Sequence, residues 1–85
     1  MARYTVTILP PAMKQIGKLD PQVRRRIDAA LLALGDDPRP PGSKKLVKVD
    51  AWRIRVGDWR VIYQIKDDQL LVLILRVGHR RDVYE

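Results

Sequence analysis

From Arg3 to Leu9 the chain alternates, with Tyr4, Val6 and Ile8 set against Thr5 and Thr7 and β-branched residues dominating. A two-residue period of this kind predicts a strand. Pro10-Pro11 ends it, because proline cannot donate to a ladder and restricts the residue before it. Pro11 also suits the first turn of a helix. Ala12 to Leu19 reads as that helix, with Met13, Ile16 and Leu19 roughly on one side and Gly17 weakening it. Asp20-Pro21 is the clearest start signal: Asp20 can cap free amides, and Pro21 sits where its missing N–H costs nothing. Val23, Ile27, Ala30, Leu31 and Leu34 then recur at helical spacing. Gly35 follows, where a left-handed cap is wanted. The pattern predicts an amphipathic helix over 21–34, joined to the first helix by a tight turn.

Asp36 to Ser43, with three prolines and a glycine in eight residues, is a connector. Ala51 to Val56 and Trp59 to Ile65 read as strands around Gly57-Asp58. Glycine at the first loop position suits a type II′ two-residue hairpin. Lys66 to Gln69 is a polar turn. Leu70 to Val77 is an almost wholly apolar strand, as for one central in a sheet or covered on both faces. Gly78 breaks the pattern, and His79 to Glu85 is a polar tail. The expected architecture is a single α+β domain spanning residues 1–85. It has a small, mainly antiparallel, four-stranded sheet with an N-terminal helical hairpin on one face, in the order β-α-α-β-β-β.

Composition narrows the chemistry. At 85 residues the chain has room for one domain. Without cysteine it has no disulfide scaffold, thiolate zinc site or cysteine nucleophile, and one histidine is too few for a His-based metal site. No metal and no cofactor are expected. The longest purely apolar run, Leu70 to Leu75, is six residues, far short of the roughly 20 a membrane helix needs. No apolar stretch follows Met1, so a cytoplasmic location is expected. The formal charge of +7 and pI of about 10.3 point to an anionic partner: nucleic acid, an acidic protein segment or an anionic membrane surface. The excess is local. Residues 1–43 carry a net +3, residues 44–65 a net +4 and residues 66–85 none.

The hairpin shows where that charge faces. With a two-residue loop, Val56 opposes Trp59, Arg55 opposes Arg60, Ile54 opposes Val61, Arg53 opposes Ile62 and Trp52 opposes Tyr63. Opposed residues point to the same side. Trp52, Ile54, Val56, Trp59, Val61 and Tyr63 therefore form a core face, and Arg53, Arg55 and Arg60 share the other. Like charges placed opposite one another destabilise a sheet, so three arginines there read as an anion site. Guanidinium forks match phosphate geometry and stay charged at any working pH. The end of the chain adds Arg76, His79, Arg80, Arg81 and Tyr84. Cleaving RNA through its own 2′-hydroxyl needs a base, a stabiliser of the charged phosphorane and an acid for the leaving oxygen. Guanidinium groups suit the second task, and groups titrating near working pH suit the others. Aromatic side chains can stack an unpaired base. Arg24-Arg25-Arg26 fans around the second helix and reads as a solvated face or an auxiliary contact.

These residues carry a family resemblance. The element order, Lys44-Lys45-Leu46, Trp52-Arg53-Ile54-Arg55-Val56, Trp59-Arg60-Val61-Ile62-Tyr63-Gln64-Ile65 and Arg76-Val77-Gly78-His79-Arg80-Arg81-Asp82-Val83-Tyr84 resemble the RelE toxins of the RelE/ParE superfamily. The resemblance implies a type II toxin that cuts mRNA in the ribosomal A site and is neutralised by a cognate antitoxin, RelB-like or similar. It implies catalytic roles for Arg53, Arg55, Arg60, His79, Arg80 and Tyr84. Lys44, Lys45, Lys48, Arg76 and Arg81 would line the RNA path. Family members carry lysines where Arg53 and Arg55 stand, one of them a candidate base. A guanidinium, with a pKa above about 12, is a poor base, which leaves His79 and then Tyr84 for proton transfer. Two alternatives accompany this reading: a ParE-like toxin that poisons DNA gyrase, and a toxin-fold module that binds RNA or protein without cutting.

Overall fold

The computed structural model describes residues 3–79. Strand β1 (Thr5–Ile8) leads into helices α1 (Pro10–Gly17) and α2 (Pro21–Asp36). Strands β2 (Lys44–Lys45), β3 (Trp52–Val56), β4 (Trp59–Lys66) and β5 (Leu71–His79) follow. They form one sheet in the order β1-β5-β4-β3-β2. Only β1 and β5 run parallel, and the other pairs are antiparallel. The α+β class, the helical pair and the mainly antiparallel sheet are as expected.

The sheet has five strands rather than four. Lys44 pairs with Arg53 and Lys45 with Trp52. Two adjacent lysines have no apolar period to betray a strand. The pairing is instead anchored just beyond them, where the Leu46 N–H donates to the Ala51 carbonyl (3.0 Å). Leu46, Ala51 and Ile62 make a small buried cluster, with Leu75 packed against it.

The main core lies between helices and sheet. Ala12, Ile16 and Leu19 from the first helical segment and Ile27, Leu31 and Leu34 from α2 meet Ile54, Val61, Tyr63, Val72, Ile74 and Val77. Both helices start at prolines, as the missing N–H allows. Asp20 precedes α2 but makes no side-chain cap bond; its backbone carbonyl accepts from Arg24 N–H at 2.8 Å.

Gly35 lies inside α2 and is not a left-handed cap. Its reason is closeness: the Gly35 carbonyl accepts from Tyr4 N–H (2.8 Å), and a Cβ there would sit 3.1 Å from the Tyr4 carbonyl oxygen. The left-handed residue found instead is Leu70 (φ 50°), which closes a 3-10 turn at Asp67–Gln69 and delays β5 to Leu71. Among the described residues, no helix is long and apolar enough to cross a membrane.

Candidate nucleic-acid interface

The β3–β4 register is the one the hairpin turn predicts, with Arg55 opposite Arg60 and Arg53 opposite Ile62. Gly57 has φ +62° and Asp58 has no positive φ, the pattern of a II′ turn. The core face is also as expected: Ile54, Val61 and Tyr63 are buried, with Trp52, Val56 and Trp59 packed against them.

The opposite face carries two rows. Lys44, Arg53, Ile62 and Arg76 oppose one another across β2, β3, β4 and β5. Arg55, Arg60 and Gly78 form the second row. Arg76 belongs here because β5 is irregular. Val72 and Ile74 face the helices, and unbroken alternation would send Arg76 the same way. An extra residue, Leu75, intervenes: Ile62 pairs with Arg76 while Tyr63 pairs with Ile74. The bulge turns Arg76 outward and leaves Val77 in the core. Gly78, opposite Arg60, adds no side chain to the second row.

The three hairpin arginines differ in exposure. Arg55 is exposed, Arg60 is half-buried, and Arg53 is 6% exposed beside Ile62. Arg55 and Arg60 therefore make the accessible pair, with Arg53 set deeper in the neighbouring row. Arg55, Gly57, Asp58 and Arg60 line a recess of about 170 Å³. Arg55 makes no ion pair among the described residues. Lys44, Lys48 and Arg76 are exposed, and Lys45 is 3.5 Å from Asp50. A larger groove of about 520 Å³ runs along the outer edge of β3, between Ala30 and Ala33 of α2, the Pro40–Gly42 bend and Arg53 to Val56. Beyond Arg53 that edge has no paired strand.

His79 is not brought to the arginines. It pairs with Trp59, and the two rings meet edge-to-face at 5.4 Å on the helix side of the sheet. Gln15, Lys18 and Leu19 share a recess with it, and the Gln15 side-chain oxygen accepts from Val77 N–H at 2.8 Å. The signal was in the sequence: Arg76 and His79 are three apart, and odd separations on a strand point to opposite faces. Arg80, Arg81 and Tyr84 lie outside the described residues.

At the opposite end of the sheet, chemistry serves the fold. Arg39 of the connector reaches both carboxylate oxygens of Asp67, at 2.9 and 3.2 Å, and stacks over Trp52 at 5.2 Å from the ring centroid. The Tyr4 hydroxyl donates to Asp67 at 2.5 Å. The Arg39 guanidinium, then the Tyr4 hydroxyl, hold the Asp67 carboxyl down at about 2. Tyr63 donates its buried hydroxyl to the Pro38 carbonyl (2.7 Å), and burial pushes it up to about 12. Sequence reasoning missed this cluster because its members lie up to 63 residues apart.

A small basic domain whose sheet presents paired arginines on the face away from its helices defines the class. Residues 6–84 match the family described as ParE toxin of type II toxin-antitoxin system, parDE. Toxin RelG of Mycobacterium tuberculosis is 38% identical over 87 residues, 95% of each chain. The mRNA interferase toxin RelE of Escherichia coli K12 is 28% identical over 71 residues, 81% of this chain and 75% of that one. The toxin-antitoxin complex RelBE2 of M. tuberculosis contains a chain that superposes with a TM-score of 0.83 at 30% identity, covering 92% of this chain and 99% of that chain. The chain belongs to the RelE/ParE superfamily and is a RelE-like toxin of the type II toxin–antitoxin class.

Proposed function

We propose that this toxin is a ribosome-dependent mRNA endonuclease that inhibits translation and is held inactive by a cognate antitoxin. The Arg55–Arg60 pair carries the reading. Two guanidinium groups placed opposite each other on a rigid sheet, around a polar recess, cost the fold stability and suit a charged phosphorane. The name of the E. coli relative, mRNA interferase toxin RelE, supports it.

Arg55 and Arg60 hold the scissile phosphate, and Arg53 underpins them from the neighbouring row. Arg76 and Lys44, with Lys48 beyond, continue the basic path across the face, whereas Lys45, opposite Trp52, falls on the other side of the sheet. Among the described residues, that face presents no histidine, so Tyr84 is favoured over His79 for proton transfer, with Arg80 and Arg81 completing the set. A scaffold this small depends on the ribosome to place the message. Codon-phased cutting by pure protein on programmed ribosomes, absent without ribosomes and lost in Arg60→Ala, tests it. Intact mRNA on programmed ribosomes would overturn it.

The antitoxin is the second partner. An acidic extended or helical segment lying in the β3-edge groove would cover Arg53, Arg55 and the Ala30–Ala33 surface of α2 together. Its affinity should fall as salt rises. The match to the ParE description favours one other reading, a gyrase-poisoning toxin. Accumulation of gyrase cleavage complexes with intact mRNA would select it.

A further inference from the structure

The consecutive arginines of α2 do three different things. Arg24 donates to the carbonyls of Gly17 and Leu19, at 3.3 and 3.2 Å, and ties the end of α1 to the start of α2. The Arg25 Nε donates to the Pro21 carbonyl one turn back, at 3.4 Å. Arg26 reaches away from the helix to the β3–β4 turn. A Cβ on Gly57 would lie 3.1 Å from its Nη2 and 3.4 Å from its Nη1. Gly57 is required for its φ of +62°, and its bare Cα lets the guanidinium lie close along the turn.

Arg26 is exposed and makes no ion pair or hydrogen bond among the described residues. It approaches the turn from α2, which packs on the core face, whereas Arg55 and Arg60 flank the same turn from the other face. Three guanidinium groups thus surround one two-residue loop whose single carboxylate is Asp58. No acidic residue stands three or four positions from Arg26 on α2, and its guanidinium lies along the turn instead, placed for an anion from outside.

We infer that Arg26 is a substrate-binding residue: it contacts a phosphate of the RNA strand adjacent to the one held by Arg55 and Arg60, so that the strand bends round the hairpin tip. The inference rests on the RNA reading above and adds a position and a direction to it. The Arg26 contact is a point charge to the backbone and carries no base preference.

The experiment is a salt titration of affinity. Binding of a short single-stranded RNA oligonucleotide is followed by fluorescence anisotropy over a range of KCl, for the wild type, Arg26→Gln, Arg26→Lys and Arg25→Gln, with melting temperatures measured alongside. One lost phosphate contact lowers the slope of log K against log salt by about 0.7 for a single strand. Arg26→Gln is expected to show that loss with affinity about fivefold weaker, Arg26→Lys to restore most of it, and Arg25→Gln to match the wild type. A merely structural Arg26 would lower the melting temperature and leave the slope alone, which overturns the inference. So does an Arg26→Gln defect confined to antitoxin binding. RNA binding with the expected slopes but no mRNA cleavage would sink the endonuclease reading and leave the Arg26 contact standing. Cleavage with an unchanged Arg26→Gln slope would do the reverse, and a wild type that binds no free RNA overturns the Arg26 inference while the programmed-ribosome assay still decides the endonuclease reading.

Discussion

The two ends of the sheet handle positive charge in opposite ways. At the end where β4 turns into β5, the arginines are matched. Arg39 is held by Asp67 with help from Tyr4, Arg3 is paired with Asp36, and the Tyr63 hydroxyl pins the connector at Pro38. At the hairpin end, Arg26 and Arg55 have no carboxylate partner among the described residues, although Asp58 is beside them. The first arrangement is what a chain shaped for folding does with arginine. The second sets two like charges opposite one another on a strand pair, an arrangement that costs the fold stability. Such a cost is retained where an anion arrives later to offset it.

The largest expected effect separates the two ends directly. Arg55→Ala should reduce mRNA cleavage by about a hundredfold or more, the scale of losing one donor to a developing charge. Its melting temperature should be unchanged or slightly raised, because a like-charge pair has been removed. Thermal denaturation and a ribosome-programmed cleavage assay on one preparation read both quantities. A fall in melting temperature with activity retained would turn the hairpin end into a second structural end and abolish the contrast.

How much of this was legible follows the range of the interactions. The arginine pair could be read from the sequence because Gly57-Asp58 fixes a two-residue loop, and the loop fixes every opposition behind it. The outward turn of Arg76 could not, because it depends on an extra residue at Leu75 that only the pairing with β4 reveals. Gly35 was misread as a cap because its local context fits one. What requires glycine is a strand from the far end of the fold, at Tyr4. Arg53, one of three equal arginines in the strand pattern, proves nearly buried opposite Ile62, a burial that alternation alone does not show. The tail chemistry expected of Arg80, Arg81 and Tyr84 lies outside the described residues, and the His79 placement shows how one residue of parity decides a role.

The next effect belongs to the paired end. Tyr63→Phe removes one buried hydrogen bond and leaves the Pro38 carbonyl without its donor. The cost should be about 1–3 kcal/mol, and each kcal/mol lowers the melting temperature by about 4–8 °C in a domain of this size. Cleavage measured well below that temperature should be unaffected. Loss of cleavage without loss of stability would show that the connector shapes the active face.

A smaller effect is read from pH. The Asp67 carboxyl sits at about 2 when folded, against 3.8 for the unperturbed group. A depressed carboxyl stabilises the fold above its unfolded value, and that contribution is lost as pH falls toward the folded one. Between about pH 4 and pH 2 the wild type should therefore lose melting temperature more steeply than Asp67→Asn, as followed by circular dichroism. Parallel curves would remove Asp67 from the account of the paired end. Because the ion pair is largely exposed, the difference should be modest.

The smallest effect is expected at Arg3 and Asp36, and it tests whether matched charge stabilises at all. Both side chains are more than half exposed, and exposed pairs contribute about 0–1 kcal/mol because water screens them and two long side chains must be ordered. The same junction is already held by the bond from Tyr4 N–H to the Gly35 carbonyl and by the close approach of the two backbones. A double-mutant cycle with Arg3→Ala and Asp36→Ala should give a coupling below about 0.5 kcal/mol that disappears in high salt. On that outcome the paired end is held by backbone and buried hydroxyl, and the pairing of its surface charges marks the absence of a ligand rather than the source of stability. A coupling well above 1 kcal/mol would reverse the argument: leaving Arg26 and Arg55 unpaired would then forgo substantial stability, and the anion they await would have to be bound correspondingly more tightly.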